Sequence, residues 1–264
     1  LEYVTCQAPG FNHCIWMTHF LYQGEDAYPL LDEWVLTKSA NYWKTWNPKY
    51  SESDMAPAAI DMYRIYGLMP IGDTTRSGSW KYHTNLETKK KWYGPSGGFD
   101  SEIGWSLYLK GQEGYIAKLT KIANEPLVPV TSEFPPVKSG EQHIPIINAI
   151  VNDHEGKFQV NIPNKGMVPR VPHDVVVEVP AIVSGRGIQP IRMDALPSRL
   201  MDSVLFPRML RMEWALDALM TGDRGVLAEI LMRDPRTKSV EQAEAVIKEL
   251  LALPFNKDMA EHYR

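Results

Sequence analysis

Gly10-Phe11-Asn12-His13-Cys14-Ile15-Trp16 and, farther along, Pro70-Ile71-Gly72-Asp73-Thr74-Thr75-Arg76 are the two stretches on which the reading of this chain turns. The first places a histidine where a strand gives way to a turn. Tyr3-Val4-Thr5-Cys6-Gln7-Ala8 reads as a short strand, ended by Pro9-Gly10. The second stretch follows a helix. Pro57 suits a first-turn position, Ala58 to Tyr66 continues the helix, and Gly67 stops it. Ile71 to His83 is then too polar and Gly-rich for regular structure, so Asp73 falls in a loop directly after a helix stop.

Outward from these stretches the elements are mostly helical. Tyr28 to Lys38 sets Leu30, Leu31, Trp34 and Val35 on one helix face. Ala40 to Ser53, with Trp43, Trp46, Tyr50 and the turn formers Asn47 and Pro48, reads as a loop. Ser101 to Asn124 has helical spacing weakened in the middle by Gly111 and Gly114, and Leu127 to Pro136 is a Pro-rich excursion. Gly140 to Asp153 is helical despite Pro145. Lys157 to Ile162 and Asp174 to Val183 are β-rich runs between turn residues, and are expected to pair. Past Leu196 a long helical pattern through Arg199, Ser203, Met209, Trp214, Leu216 and Leu219 is kinked or split by Pro207. Helices Arg224 to Arg233 and Ser239 to Leu253 follow, separated by Asp234-Pro235-Arg236. With no repeat and no linker, the expectation is one α+β domain, helix-rich around a small mixed or antiparallel sheet.

Composition narrows the class. A chain of 264 residues is long enough to bury a substantial core. Hydrophobic residues at 44% and charged residues at 23% match globular usage and argue against disorder. No apolar run approaches the roughly 20 residues needed to cross a bilayer. A net charge of −4 gives no basic footprint for nucleic acid, and Lys89-Lys90-Lys91 reads as a solvated helix face. Cys6 and Cys14 are the only cysteines, too few for a disulfide framework, so a cytoplasmic setting is expected. Eight Trp and twelve Tyr are a rich allotment, of use in a sugar site as well as in a core.

Four constellations carry chemistry. Neutral imidazole is a common ligand for first-row divalent metals, so His13 is a candidate ligand; a structural histidine in a turn explains it as well. Cys14 would point to the opposite face and cannot join it. Asp73, held ionised by Arg76 and loop hydroxyls, is a candidate general base, or else an Asx turn or helix cap. Trp80, Tyr82 and His83 suit a pocket wall or a core. Ser139 and Gln142 spell a capping box, beside which His143 can meet a polar ligand. Asn161-Ile162-Pro163-Asn164-Lys165-Gly166 is a strand end with turn chemistry. There is no His-Glu-x-x-His helix, Gly-x-Ser-x-Gly elbow or Walker loop, and Gly185-Arg186-Gly187 is too short for a dinucleotide fingerprint.

Ala27-Tyr28-Pro29-Leu30-Leu31-Asp32, Pro57-Ala58-Ala59-Ile60-Asp61-Met62-Tyr63, Pro70-Ile71-Gly72-Asp73-Thr74, Ser139-Gly140-Glu141-Gln142-His143, Asn161 to Gly166, Val176-Val177-Glu178-Val179-Pro180-Ala181 and Asp234-Pro235-Arg236-Thr237 add a further signal. In wording and order, together with Asn12-His13 and Leu86 to Gly94, they resemble glycoside hydrolase family 4, of the NAD- and Mn²⁺-dependent α-glucosidase type. The resemblance implies chemistry outside the two-carboxylate scheme. NAD⁺ oxidises the sugar C3 hydroxyl, a base removes the acidified C2 proton, the glycosidic oxygen leaves, water adds and the hydride returns. Mn²⁺ or another divalent ion acts as a Lewis acid on the C2 and C3 oxygens.

Carried over by motif, the resemblance makes His13 the metal ligand, Asp73 the C2 base, and Asn12 and Arg76 substrate contacts, with His143 and Asn164 lining the same cleft. It also implies a fold like the C-terminal domain of lactate and malate dehydrogenases, a homo-oligomer, and a small-molecule α-glycoside as partner. Family members begin with a Rossmann-like NAD-binding domain, and none precedes Leu1. The expectation is therefore a substrate, metal and oligomerisation domain over 1–264, silent in catalysis by itself. An α-galacturonidase or α-galactosidase, or a non-catalytic sugar-binding or oligomerisation remnant, are the alternatives. A hydroxy-acid dehydrogenase lacks its His-Arg signature here.

Overall fold

The computed structural model describes residues 3–78, 81–125 and 129–263; Leu1, Trp80 and Leu127, which entered the readings above, lie outside them. The long ladder between β6 (Gly156–Pro163) and β7 (Val176–Ser184) runs antiparallel from Gly156↔Val183 to Pro163↔Val176. On β7 the period of two is plain: Val177, Val179, Ala181 and Val183 are fully buried, while Val176, Glu178, Pro180 and Ile182 are not. Each buried valine contributes about 1.5–3 kcal/mol, so this face anchors the core.

The other strands are β1 (Val4–Gln7), β2 (Gly10–Phe11), β3 (Cys14–Tyr22), β4 (Glu25–Asp26), β5 (Met69–Ile71) and β8 (Gly187–Pro190). The sheet path is β1-β3-β2-β7-β6, with β4 and β5 also on β3 and β8 on β7. Among the described residues every pairing is antiparallel, so the sheet is not mixed.

Helices pack around this sheet. First come α1 (Tyr28–Thr37), α2 (Ser39–Thr45) and α3 (Pro57–Tyr66). The loop expected over 40–53 is helical in its first part: α2 forms there, and Trp43 donates Nε1–H to the carbonyl of Met55 at 2.9 Å. Asn47-Pro48 lies beyond its end, where turn formers belong. α3 starts on Pro57 and ends on Gly67, whose φ of 77° is the left-handed cap that a Cβ would oppose.

A short helix, α4 (Thr74–Ser77), occupies part of the stretch expected to be irregular. It is followed by α5 (Leu86–Tyr93) and α6 (Glu102–Asn124), which runs unbroken through Gly111 and Gly114. Neither glycine has a neighbour within 4 Å of where a Cβ would stand, so they lower helix propensity without marking a break. Next are α7 (Val130–Glu133), inside the expected excursion, and α8 (His143–Val151).

Pro207 splits the late helix. α9 (Ser198–Leu200) passes into a π-helical turn, Met201–Leu205, before α10 (Phe206–Thr221). Phe206 N–H reaches back five residues to Met201, a wider turn that accommodates a residue without an amide hydrogen. α11 (Arg224–Met232), α12 (Val240–Leu251) and α13 (Lys257–His262) complete the chain.

Candidate active site

Strand register builds the site. β5 runs antiparallel to β3 with Met69 opposite Met17 and Ile71 opposite Ile15. Continuing both chains past that last pair brings residue 73 against residue 13. His13 Nδ1 and Asp73 Oδ2 are 2.6 Å apart, across sixty residues of sequence. Thr74 secures the alignment, its Oγ1 accepting from Ile15 N–H at 2.7 Å.

The turn that presents His13 is strained. Its φ is 59°, in the left-handed region that costs a non-glycine residue about 1 kcal/mol or more. Two donors hold it there: Ser77 Oγ–H on the His13 carbonyl, and Arg208 Nη2 on the Asn12 carbonyl at 2.9 Å. Cys14, the first residue of β3, turns inward and is fully buried, while His13 faces solvent from the turn before it.

Asp73 is held in place from both sides. Arg76 donates Nε–H to Oδ1 at 3.0 Å and Nη2–H to Oδ2 at 3.1 Å, a fork-on-carboxylate pair. Arg76 Nη1 also lies 3.3 Å from Asp100, and the guanidinium stacks over the Phe99 ring at 4.9 Å. Partial burial works to raise the Asp73 pKa, but the Arg76 hydrogen bonds and charge, with those of His13, outweigh it and hold the carboxyl below its usual range.

In the neutral imidazole whose Nδ1–H donates to the Asp73 carboxylate, Nε2 is the nitrogen with a lone pair. Imidazoles oriented in this way by a carboxylate are set up to ligate metal. Among the described residues no three His, Cys, Asp or Glu side chains are grouped to hold an ion. The donor set therefore fits a single imidazole ligand rather than a full cage.

The remaining candidates divide. Asn12 lies in the His13 turn with its side chain exposed. Arg76 reaches the site, but it contacts carboxylates and positions Asp73. Among the described residues no hydrogen bond or ion pair joins His143 to this cluster, and the capping box beside it does not form. Gln142 Oε1 instead accepts from Gln159 N–H at 2.9 Å. Asn164 is fully buried, its amide donating to the carbonyls of Val168 and Val171 and accepting from Val168 N–H. That amide staples its own loop and lines no cleft.

Tyr82 and His83, read as possible pocket wall, are core residues at 0% and 2% exposure. Tyr82 donates its hydroxyl to Asp61, and His83 Nε2 meets the Tyr93 hydroxyl at 3.1 Å.

Three neighbours of the site escaped the sequence reading. Ser77 and Arg208 hold the His13 turn, and Glu178 sits opposite Gly10 in the β2–β7 pair. Burial raises the Glu178 pKa, against a hydrogen bond from Gln159 and the charge of His13. Nothing local marks these residues, because their roles arise only when distant elements meet.

Known proteins share the family and the fold. The family 4 glycosyl hydrolase C-terminal domain matches residues 8–237. An α-galacturonidase from Lachnoclostridium phytofermentans is 23% identical over 253 residues, covering 92% of this chain and 52% of that protein. Among solved structures, the Bacillus subtilis protein LplD superposes with a TM-score of 0.71 at 22% identity, over 95% of this chain and 56% of that one. A 6-phospho-α-glucosidase from gut microorganisms, in complex with NAD and Mn²⁺, gives a TM-score of 0.64 at 16% identity, over 98% and 56%. The chain thus spans about half the length of the relatives it matches.

Proposed function

This chain belongs to glycosyl hydrolase family 4, and from that premise we propose that it forms the substrate side of an α-glycosidase working by proton removal from sugar carbon. The observation that carries the reading is the 2.6 Å contact between His13 and Asp73. Asp73, kept ionised by Arg76, accepts the C2 proton from a sugar whose C3 is at the ketone level, and the glycosidic oxygen then leaves C1 with the electron pair. Arg76 is the positioning residue for that carboxylate. His13, fixed through Nδ1, directs Nε2 outward. A divalent ion, with His13 among its ligands, would supply Lewis acidity at the C2 and C3 oxygens. The hydride-accepting group is assigned to no residue of this chain.

The sequence motifs lean towards an α-glucoside. The α-galacturonidase relative, which aligns over 92% of the chain, supports a galacturonide instead. The test is hydrolysis of 4-nitrophenyl α-galacturonide and α-glucoside, by the chain alone and with its adjoining coding sequence, with and without NAD⁺, Mn²⁺ and reductant. Cleavage should require both NAD⁺ and Mn²⁺ and should be lost in Asp73→Asn and His13→Ala. Cleavage that continues in Asp73→Asn overturns the reading.

The three hydrogen bonds on Asp73 favour a second reading, in which the carboxylate only orients His13. Mn²⁺ titration followed by electron paramagnetic resonance separates the two. An orienting role predicts a 10–100-fold loss of Mn²⁺ affinity in Asp73→Asn. A base predicts no turnover in Asp73→Asn even when Mn²⁺ saturates the site, whereas an orienting role alone predicts turnover regained at saturating Mn²⁺.

Assembly with further protein is part of the proposal. The accessible surface is 16588 Å² for 30.0 kDa, against about 11,700 Å² for a compact monomer of that mass. Much of the excess is apolar: Trp105, Leu107, Tyr115 and Ile116 on α6 are each about half exposed. A homo-oligomer would cover such a face.

A further inference from the structure

Asp234-Pro235-Arg236-Thr237 lies between α11 and α12, far along the chain from residue 73. Its turn is tied locally. Asp234 Oδ1 accepts from Arg236 N–H at 2.9 Å, and Thr237 N–H donates to the Asp234 carbonyl at 2.9 Å. The Arg236 side chain is held by the same carboxylate, with Nε–H on Oδ1 at 2.9 Å and Nη2–H on Oδ2 at 2.8 Å. Asp100 stands between this loop and the site. Next to it is Ser101, the buried N-cap of α6, whose hydroxyl donates to the Gly98 carbonyl and accepts from Gly104 N–H, both at 2.8 Å. From that fixed position Asp100 accepts from Arg76 Nη1 at 3.3 Å. Its charge also acts on Arg236, whose pKa is raised first by the hydrogen bonds to Asp234 and further by Asp100. Burial dominates at His83, whose ring also feels the charges of both Asp100 and Arg236.

The order of charges is thus Asp73, Arg76, Asp100, Arg236, Asp234, alternating in sign at every step. Alternation has an energetic reason. The Asp100 and Asp234 side chains are only 18% and 15% exposed, so water and salt screen them less than a surface pair. Two guanidinium groups facing each other there would repel without the carboxylate between them. Conversely, an Asp100 with Arg76 as its one cation would draw that guanidinium away from Asp73. We propose that Asp100 and Arg236 are positioning residues for the base, fixing the Arg76 fork on Asp73 from the loop between α11 and α12. The inference rests on the glycosidase reading above and deepens it, since the geometry of a carboxylate beside β5 then depends on helices late in the chain.

The test uses the protein with its adjoining coding sequence, NAD⁺ and Mn²⁺, and whichever 4-nitrophenyl glycoside it cleaves faster. Asp100→Asn should lower kcat by about 10–100-fold while KM stays within about twofold. Arg236→Gln should lower kcat by about threefold or more, and the double variant should be no slower than Asp100→Asn, because Arg236 acts through Asp100. Additive losses, or losses that appear in KM instead of kcat, overturn the inference and leave the glycosidase reading standing. A second measurement reads the fork without turnover. In the metal-free 264-residue chain, exchange of the Arg76 Nε–H with solvent, followed by NMR, should quicken by about tenfold in either single variant. Unchanged exchange in a folded variant overturns the inference. No cleavage by the wild type overturns the glycosidase reading, and the role given to Asp100 and Arg236 falls with it.

Discussion

At the level of single residues the decisive relation is one imidazole against one carboxylate, fixed by a guanidinium. Asp73→Asn should lower turnover of the 4-nitrophenyl glycosides by about 10²–10⁴-fold with the thermal midpoint nearly unchanged. Arg76→Gln tests the electrostatics. Removing the fork lets the Asp73 pKa rise towards its ordinary value, so the acid limb of the activity profile should move to higher pH; an unmoved limb would contradict the role given to Arg76. His83 makes a separate prediction for stability. Burial, chiefly, pushes its pKa down to about 4, so the native state keeps it neutral while the unfolded chain protonates near 6.5. Stability from this group is complete above pH 6.5 and is lost as the pH falls towards about 4, by up to about 3 kcal/mol. Urea midpoints across that range should fall steeply in the wild type and less so in His83→Gln. The family resemblance, not the local signals, put residues 13 and 73 in one place, for each motif alone also suits a structural histidine or an Asx turn. Sequence reading placed Asn164 in the cleft and left the residue 82–83 pair open between pocket wall and core, because an amide or a ring can serve a loop, a core or a ligand with the same letters. Only the carbonyls that surround Asn164 decide the matter.

At the level of elements, strand register does the work that spacing cannot. β7 was legible from its β-rich run between turn residues, and α3 from Pro57 and Gly67, because both signals are local. α2 and the π-helical turn were not: the first lacks a strong start signal, and the second is a response of the backbone to Pro207. The pairing of β5 with β3 was equally hidden, since three residues containing a proline hardly announce a strand; an edge position tolerates it. Gly10 is the element-scale test. A Cβ there would stand 2.1 Å from the Cys14 carbonyl oxygen, so the β2–β3 hairpin closes only around glycine. Gly10→Ala should cost about 2–3 kcal/mol in chemical denaturation and should displace the His13 turn with it. A variant of wild-type stability would show that the hairpin can open without loss.

Over the whole molecule, a helix-rich α+β body of the lactate and malate dehydrogenase C-terminal type carries an open site at one sheet edge and a broad apolar surface elsewhere. His13 and Asp73 have side chains 56% and 33% exposed, so the pair lies at an open surface rather than inside a closed hollow. The apolar surface predicts self-association. Sedimentation should give a mass above 30.0 kDa, and Trp105→Glu should shift the equilibrium towards the monomer; a monomer at every concentration would contradict this. A helix-rich class around a small sheet followed from sequence, whereas the purely antiparallel pairing and the excess surface appear only once strands and helices are placed. The central claim concerns a carbon-bound proton, and isotope exchange reads it directly. Hydrolysis of the α-glycoside in D₂O, with NAD⁺ and Mn²⁺ present, should place deuterium at C2 of the released sugar, and Asp73→Asn should abolish that incorporation. A product that retains its original hydrogen at C2 would contradict the account.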